Sequence, residues 1–213
     1  MRFVKGADVF TATGEKTGTL NRVVIDTKTR DVTDLVVDRG LLETEKVIPV
    51  GLVDTAEEDR IMLRETNQGV DDFLDYETTH YVPIDQVAEP SKNVETYYWY
   101  PPVNFQMPTG GAMLPGVVPD HVFQTEKNIP EGRVAIAEGA RVISADEKHI
   151  GNVEQVIADS ESNNVTHFVV EKGFLLKEHK LVPAFWVTKV DEEKIYLSVE
   201  ARLFERLPDY QPG

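Results

Sequence analysis

The 213-residue chain has no cysteine, which excludes disulfides, thiol nucleophiles and thiolate metal sites. Basic residues are scarce, with 22 Lys plus Arg against 37 Asp plus Glu and a formal net charge of −15. A charge of that sign repels phosphate backbones and anionic headgroups, so neither nucleic acid nor an acidic membrane surface is expected as a partner. No run approaches the roughly 20 apolar residues of a membrane span. The opening Met1-Arg2-Phe3-Val4-Lys5-Gly6-Ala7-Asp8 lacks the apolar core of a signal peptide. A cytoplasmic protein without a membrane span is therefore expected, and the sequon Asn164-Val165-Thr166 carries no glycosylation meaning.

What is present is an internal repeat. A shift of 133 aligns Gly6-Ala7 with Gly139-Ala140, Val9 with Val142, Gly18 with Gly151, Asp26 with Asp159, Val36-Val37 with Val169-Val170 and Gly40 with Gly173. One inserted residue near Lys177 changes the shift to 134, after which Pro49 meets Pro183, Ile61 meets Ile195 and Asp75-Tyr76 meets Asp209-Tyr210. Each copy reads as five or six short strands with turn punctuation. Gly18 to Asp26 and Val32 to Asp38 form a hairpin, and the apolar positions Leu20, Val23 and Ile25 break strict alternation as a β-bulge would. Each copy closes on a single helical turn, Gln68 to Leu74 and Ala201 to Leu207.

The ordered elements Gly6, Gly18, Val23-Val24-Ile25-Asp26, Val32 to Val37, Gly40 and Val47-Ile48-Pro49 recur as Gly139, Gly151, Val156-Ile157-Ala158-Asp159, Val165 to Val170, Gly173 and Leu181-Val182-Pro183. This pattern resembles the PRC-barrel family. The resemblance implies an all-β fold: two small PRC-like β-barrels in tandem, each with a short C-terminal helical turn. It also implies a protein-contact module, and it brings no catalytic residue set. The expected division is residues 1–87 for the first repeat, 88–133 for a Pro-, Gly- and aromatic-rich connector and 134–213 for the second.

The five histidines are the residues best suited to catalysis or metal binding. His149, His167 and His179 align with Lys16, Asp34 and either Glu45 or Lys46, so they read as solvated positions; His80 and His121 have no ligand spacing. The acidic turns Glu57-Glu58-Asp59 and Asp191-Glu192-Glu193 lack the alternating spacing of a calcium loop. Gly14-Glu15-Lys16-Thr17-Gly18 lacks the order of a phosphate loop, and there is no Gly-x-Ser-x-Gly elbow. No catalytic residue, metal site or cofactor is expected, and the chain reads as no enzyme.

Two features point to a partner. Gly40-Leu41-Leu42 and Gly173-Phe174-Leu175-Leu176 put apolar side chains on a strand connection, where they either pack over a barrel end or anchor a partner. The connector holds Tyr97-Tyr98-Trp99-Tyr100-Pro101-Pro102, either a strap across the barrels or a docking segment. The expected contacts are thus Leu41, Leu42, Phe174, Leu175, Tyr98, Trp99 and Tyr100. Partners are a basic protein or a second copy of the chain. Two alternatives stay open: a small ligand in a cleft between barrels and connector, or a structural, stress-associated self-assembling role.

Overall fold

The structure is a computed structural model of the chain and describes residues 1–41, 43–67, 69–87, 94–97, 121–137, 139–173 and 177–211. Met1–Tyr76 and Ile129–Gly213 together form one compact unit, and Glu77–Asn128 forms a second.

In chain order the strands are β1 (Arg2–Val4), β2 (Asp8–Phe10), β3 (Lys16–Asp26), β4 (Val32–Asp38), β5 (Lys46–Pro49), β6 (Val53–Ala56) and β7 (Arg60–Leu63). The second unit carries β8 (Glu77–Pro83), β9 (Val94–Tyr97) and β10 (His121–Lys127). Then follow β11 (Arg133–Ile136), β12 (Arg141–Ile143), β13 (His149–Ala158), β14 (Val165–Lys172), β15 (Glu178–Pro183), β16 (Val187–Val190), β17 (Lys194–Leu197) and the short helix α1 (Ala201–Glu205). The all-β class read from the sequence is what the chain adopts. The first of the two expected helical turns is a 3-10 turn at Val70–Asp72, and the second is α1.

The two halves of the first unit share one strand order, β5-β4-β3-β2-β7-β6 and β15-β14-β13-β12-β17-β16. Neighbours are antiparallel except β2 with β7 and β12 with β17, which run parallel. Among the described residues no ladder joins β5 to β6 or β15 to β16. The long strands β3 and β13 each carry a register shift, between Leu20 and Arg22 and between Val153 and Gln155. Asn21 and Glu154 are the additional residues, and such a bulge bends and twists its strand.

Tight packing between neighbouring strands explains one pair of glycines. A Cβ on Gly18 would lie 2.3 Å from the Asp38 carbonyl oxygen, and one on Gly151 would lie 2.4 Å from that of Glu171. No side chain fits between backbones that close.

The halves also exchange strands. β1 pairs with β13 of the other half, Phe3 opposite Val156, while β11 pairs with β3, Ala135 opposite Val24. The hairpin tips meet reciprocally: the Val32 amide donates to the Asn163 carbonyl at 2.9 Å and the Val165 amide to the Arg30 carbonyl at 3.0 Å. Arg30 and Asn163 both take positive φ, 65° and 59°. The main hydrophobic core runs through both halves, from Phe3, Val9, Leu35 and Ile61 to Phe168, Ile195 and Phe204, and a smaller cluster gathers Val24, Val36, Val47, Tyr76, Ile129 and Ala135.

The second unit is a three-stranded antiparallel sheet in the order β8-β10-β9. Residues 88–133, read from the sequence as a Pro-, Gly- and aromatic-rich connector, contain β9 and β10. The Pro and Gly content of the stretch obscured two short β-rich runs, Val94–Tyr97 and His121–Lys127.

Candidate binding surfaces and a polar cluster

The three-stranded sheet presents an aromatic row. Phe123 in the central strand β10 is directly opposite Tyr81 of β8 on one side and Tyr97 of β9 on the other. Directly opposed residues project from the same face of a sheet, so the three rings lie side by side. Tyr81 and Phe123 have ring centroids 5.2 Å apart, tilted at 46°. Tyr81, Phe123 and Tyr97 are 63%, 42% and 56% exposed. One rung away, the Thr79 and Thr125 hydroxyls are hydrogen-bonded at 3.0 Å. The Tyr97 hydroxyl donates to Glu95, and that bond holds the phenol proton and raises its pKa above the ordinary value. Tyr98, Trp99 and Tyr100, the connector contacts expected from the sequence, lie outside the described residues. The row itself was missed. The β-branched and aromatic residues Val122, Phe123 and Thr125 were the available signal.

Of the four loop anchors expected from the sequence, Leu41 is described and fully exposed. Leu42, Phe174 and Leu175 lie outside the described residues. Leu41 follows Gly40, whose φ of 111° turns the chain. The turn is fixed by the Gly40 amide donating to Asp38 Oδ1 at 2.8 Å and the Glu43 amide to the Gly40 carbonyl at 3.2 Å. Phe185, in the 3-10 turn between β15 and β16, is also exposed and meets Trp186 edge-on at 6.3 Å.

A polar cluster sits on β13, β14 and β15. His179 Nε2 lies 3.0 Å from Glu154 Oε2 and 3.8 Å from Glu171 Oε2, and Lys177 Nζ lies 2.8 Å from Glu171 Oε2. The hydrogen bond to Glu171 raises the Lys177 pKa. The side chains of His179, Glu171 and Glu154 are 18%, 20% and 32% exposed. His179 is therefore half-buried between carboxylates, not the solvated histidine that its alignment with a charged residue suggested. The sequence offered no hint, because the three residues meet only through the pairing of Glu171 with His179 and the bulge at Glu154. By contrast His149, aligned with Lys16, is exposed, with Nε2 3.1 Å from Asn152 Oδ1.

Glu154 also borders a small cavity of about 30 Å³ between the halves, lined by Phe3, Leu20, Asn21, Ile136 and Gln155 among others. Gln155 is buried and neither atom of its amide has a hydrogen-bond partner in the protein. The volume is enough for a water molecule, which is the usual partner of such a group.

Bulged antiparallel sheets, each half ending in a helical turn, define a small all-β domain protein. Residues 3–70 match the model of the PRC-barrel domain. Residues 136–204 match a different model, described as an uncharacterized protein conserved in bacteria, DUF2171. No curated protein matches the chain. The two matched stretches occupy corresponding parts of the two halves, each starting near the exchanged N-terminal strand and ending at or near the helical turn.

Proposed function

We propose that the chain is a non-enzymatic, cytoplasmic protein-binding module that holds a partner protein through its exposed aromatic and apolar side chains. The aromatic row Tyr81–Phe123–Tyr97 carries this reading. Three adjacent rings exposed on one sheet face form the type of patch that marks contact sites, and aromatic residues dominate the energetics of such contacts. Leu41 supplies a second apolar anchor. The net charge of −15 favours a basic partner, since complementary charge steers encounter and suppresses wrong pairings.

The test compares full-length tagged protein with a Tyr81→Ser/Phe123→Ser variant, both used to recover partners at low and moderate salt, with quantitative mass spectrometry as readout. A basic protein recovered with the parent and reduced about 30-fold with the variant, as expected for loss of a hot spot, supports the module. Identical recoveries from two equally folded proteins overturn the role of the row.

A further inference from the structure

We infer that Glu154, Glu171 and His179 form a binding site for one divalent transition-metal ion of the zinc class. The donors come from three neighbouring strands of one sheet, a rigid platform. Glu171 and His179 are directly opposite each other in β14 and β15, and the bulge in β13 adds Glu154. One imidazole nitrogen and two carboxylate oxygens converge, all within 4.8 Å of one another. His179 Nε2 stands 3.0 Å and 3.8 Å from the two carboxylates. Ligands around a four-coordinate zinc ion with bonds of about 2.0–2.1 Å are separated by about 3.4 Å. The two His179 distances bracket that value, and small side-chain rotations bring the three donors around one ion.

The donor chemistry selects the ion. A mixed nitrogen and oxygen set suits zinc, nickel or cobalt, whereas calcium and magnesium call for oxygen alone. Three protein ligands leave a fourth position for water or another small ligand. A cation already occupies part of the site: the Lys177 ammonium is held against Glu171 at 2.8 Å. Its side chain is 59% exposed, so a metal can displace it into solvent.

The N-terminal half serves as an internal control. The positions corresponding to Glu154, Glu171 and His179 are Asn21, Asp38 and Glu45. There Asn21 donates directly to Glu45 and Asp38 Oδ1 is engaged by the Gly40 amide. That arrangement has no imidazole and is closed by its own hydrogen bonds, so one ion per chain is expected rather than two.

Titration of the full chain with zinc chloride by isothermal calorimetry tests the site. The expected result is one equivalent bound, weakened at least about tenfold by His179→Ala and unchanged by His149→Ala. Glu154→Gln gives a second reading should His179→Ala fail to fold, and Lys177→Ala should tighten binding by removing the competing cation. Absence of binding, or equal affinity in the parent and in folded His179→Ala or Glu154→Gln variants, overturns the proposal.

Discussion

Asp26 and Asp159 show how single residues set the two hairpin turns. Asp26 Oδ1 accepts the Lys28 and Thr29 amides at 2.8 and 3.0 Å, and Asp159 Oδ1 accepts those of Glu161 and Ser162 at 3.0 and 2.9 Å, with the Ser162 hydroxyl in addition. These bonds favour the ionised form, so both carboxyls are held below the ordinary aspartate value, Asp26 chiefly by Thr29 and Asp159 chiefly by Ser162. A depressed folded-state pKa contributes stability above the unfolded value of about 3.9, and that contribution is lost as pH falls through the folded value. Carboxyl-carbon NMR titration should find both groups titrating below about 3.9. Midpoints at or above it would remove this account of the turns. The glycines opposite a neighbouring carbonyl give a prediction of stability. Gly151→Ala forces apart β13 and β14, and should cost about 1–3 kcal/mol in urea unfolding; a neutral result would mean that the strands separate freely.

At the level of elements, the hairpins, the Val-rich strands and the bulges were legible because each has a local signature. Turn residues stand at Thr27 to Asp31 and Ser160 to Asn164, branched residues fill Val32 to Val37, and the alternation breaks near Leu20. β8, β9 and β10 were not legible, since their pairing joins strands separated by a long stretch rich in Pro and Gly. The aromatic row exists only in that register. The polar cluster is invisible for the same reason: Glu154 is placed by a bulge, and Glu171 and His179 face each other across a loop. Alignment of the halves even misdirected the reading of His179, because a charged counterpart in the other half signals exposure only if both are equally solvated. The helix α1 is tied down by one further carboxylate. Asp146 Oδ1 accepts the Ala201 amide at 2.8 Å and the Ser144 hydroxyl at 2.7 Å, while Asp146 Oδ2 pairs with Lys148 at 2.9 Å. The Lys148 bond is the foremost of several that hold the Asp146 carboxyl far below the usual aspartate range.

For the whole molecule, the decisive feature is that the main core of the first unit is shared by both halves. The repeat predicted two similar folding patterns, and the shared strand order agrees; what periodicity did not carry was the exchange of β1 and β11 between them. Phe3, 1% exposed, belongs to the N-terminal segment yet lies on a strand hydrogen-bonded to β13. Phe3→Ala should therefore cost about 3–5 kcal/mol and lower the stability of both halves together. Hydrogen exchange should show protection falling in β4 and β14 alike. Loss confined to one half would mean that the halves fold independently.

The exchange also sets an order of events at the ribosome. Residues 2 to 4 leave the exit tunnel well before their pairing partners, residues 155 to 157. At about 5–20 residues per second, the first strand waits on the order of ten seconds for its place. During synthesis the N-terminal half is a sheet with its own leading strand adrift, and its completion is deferred until the second half has emerged.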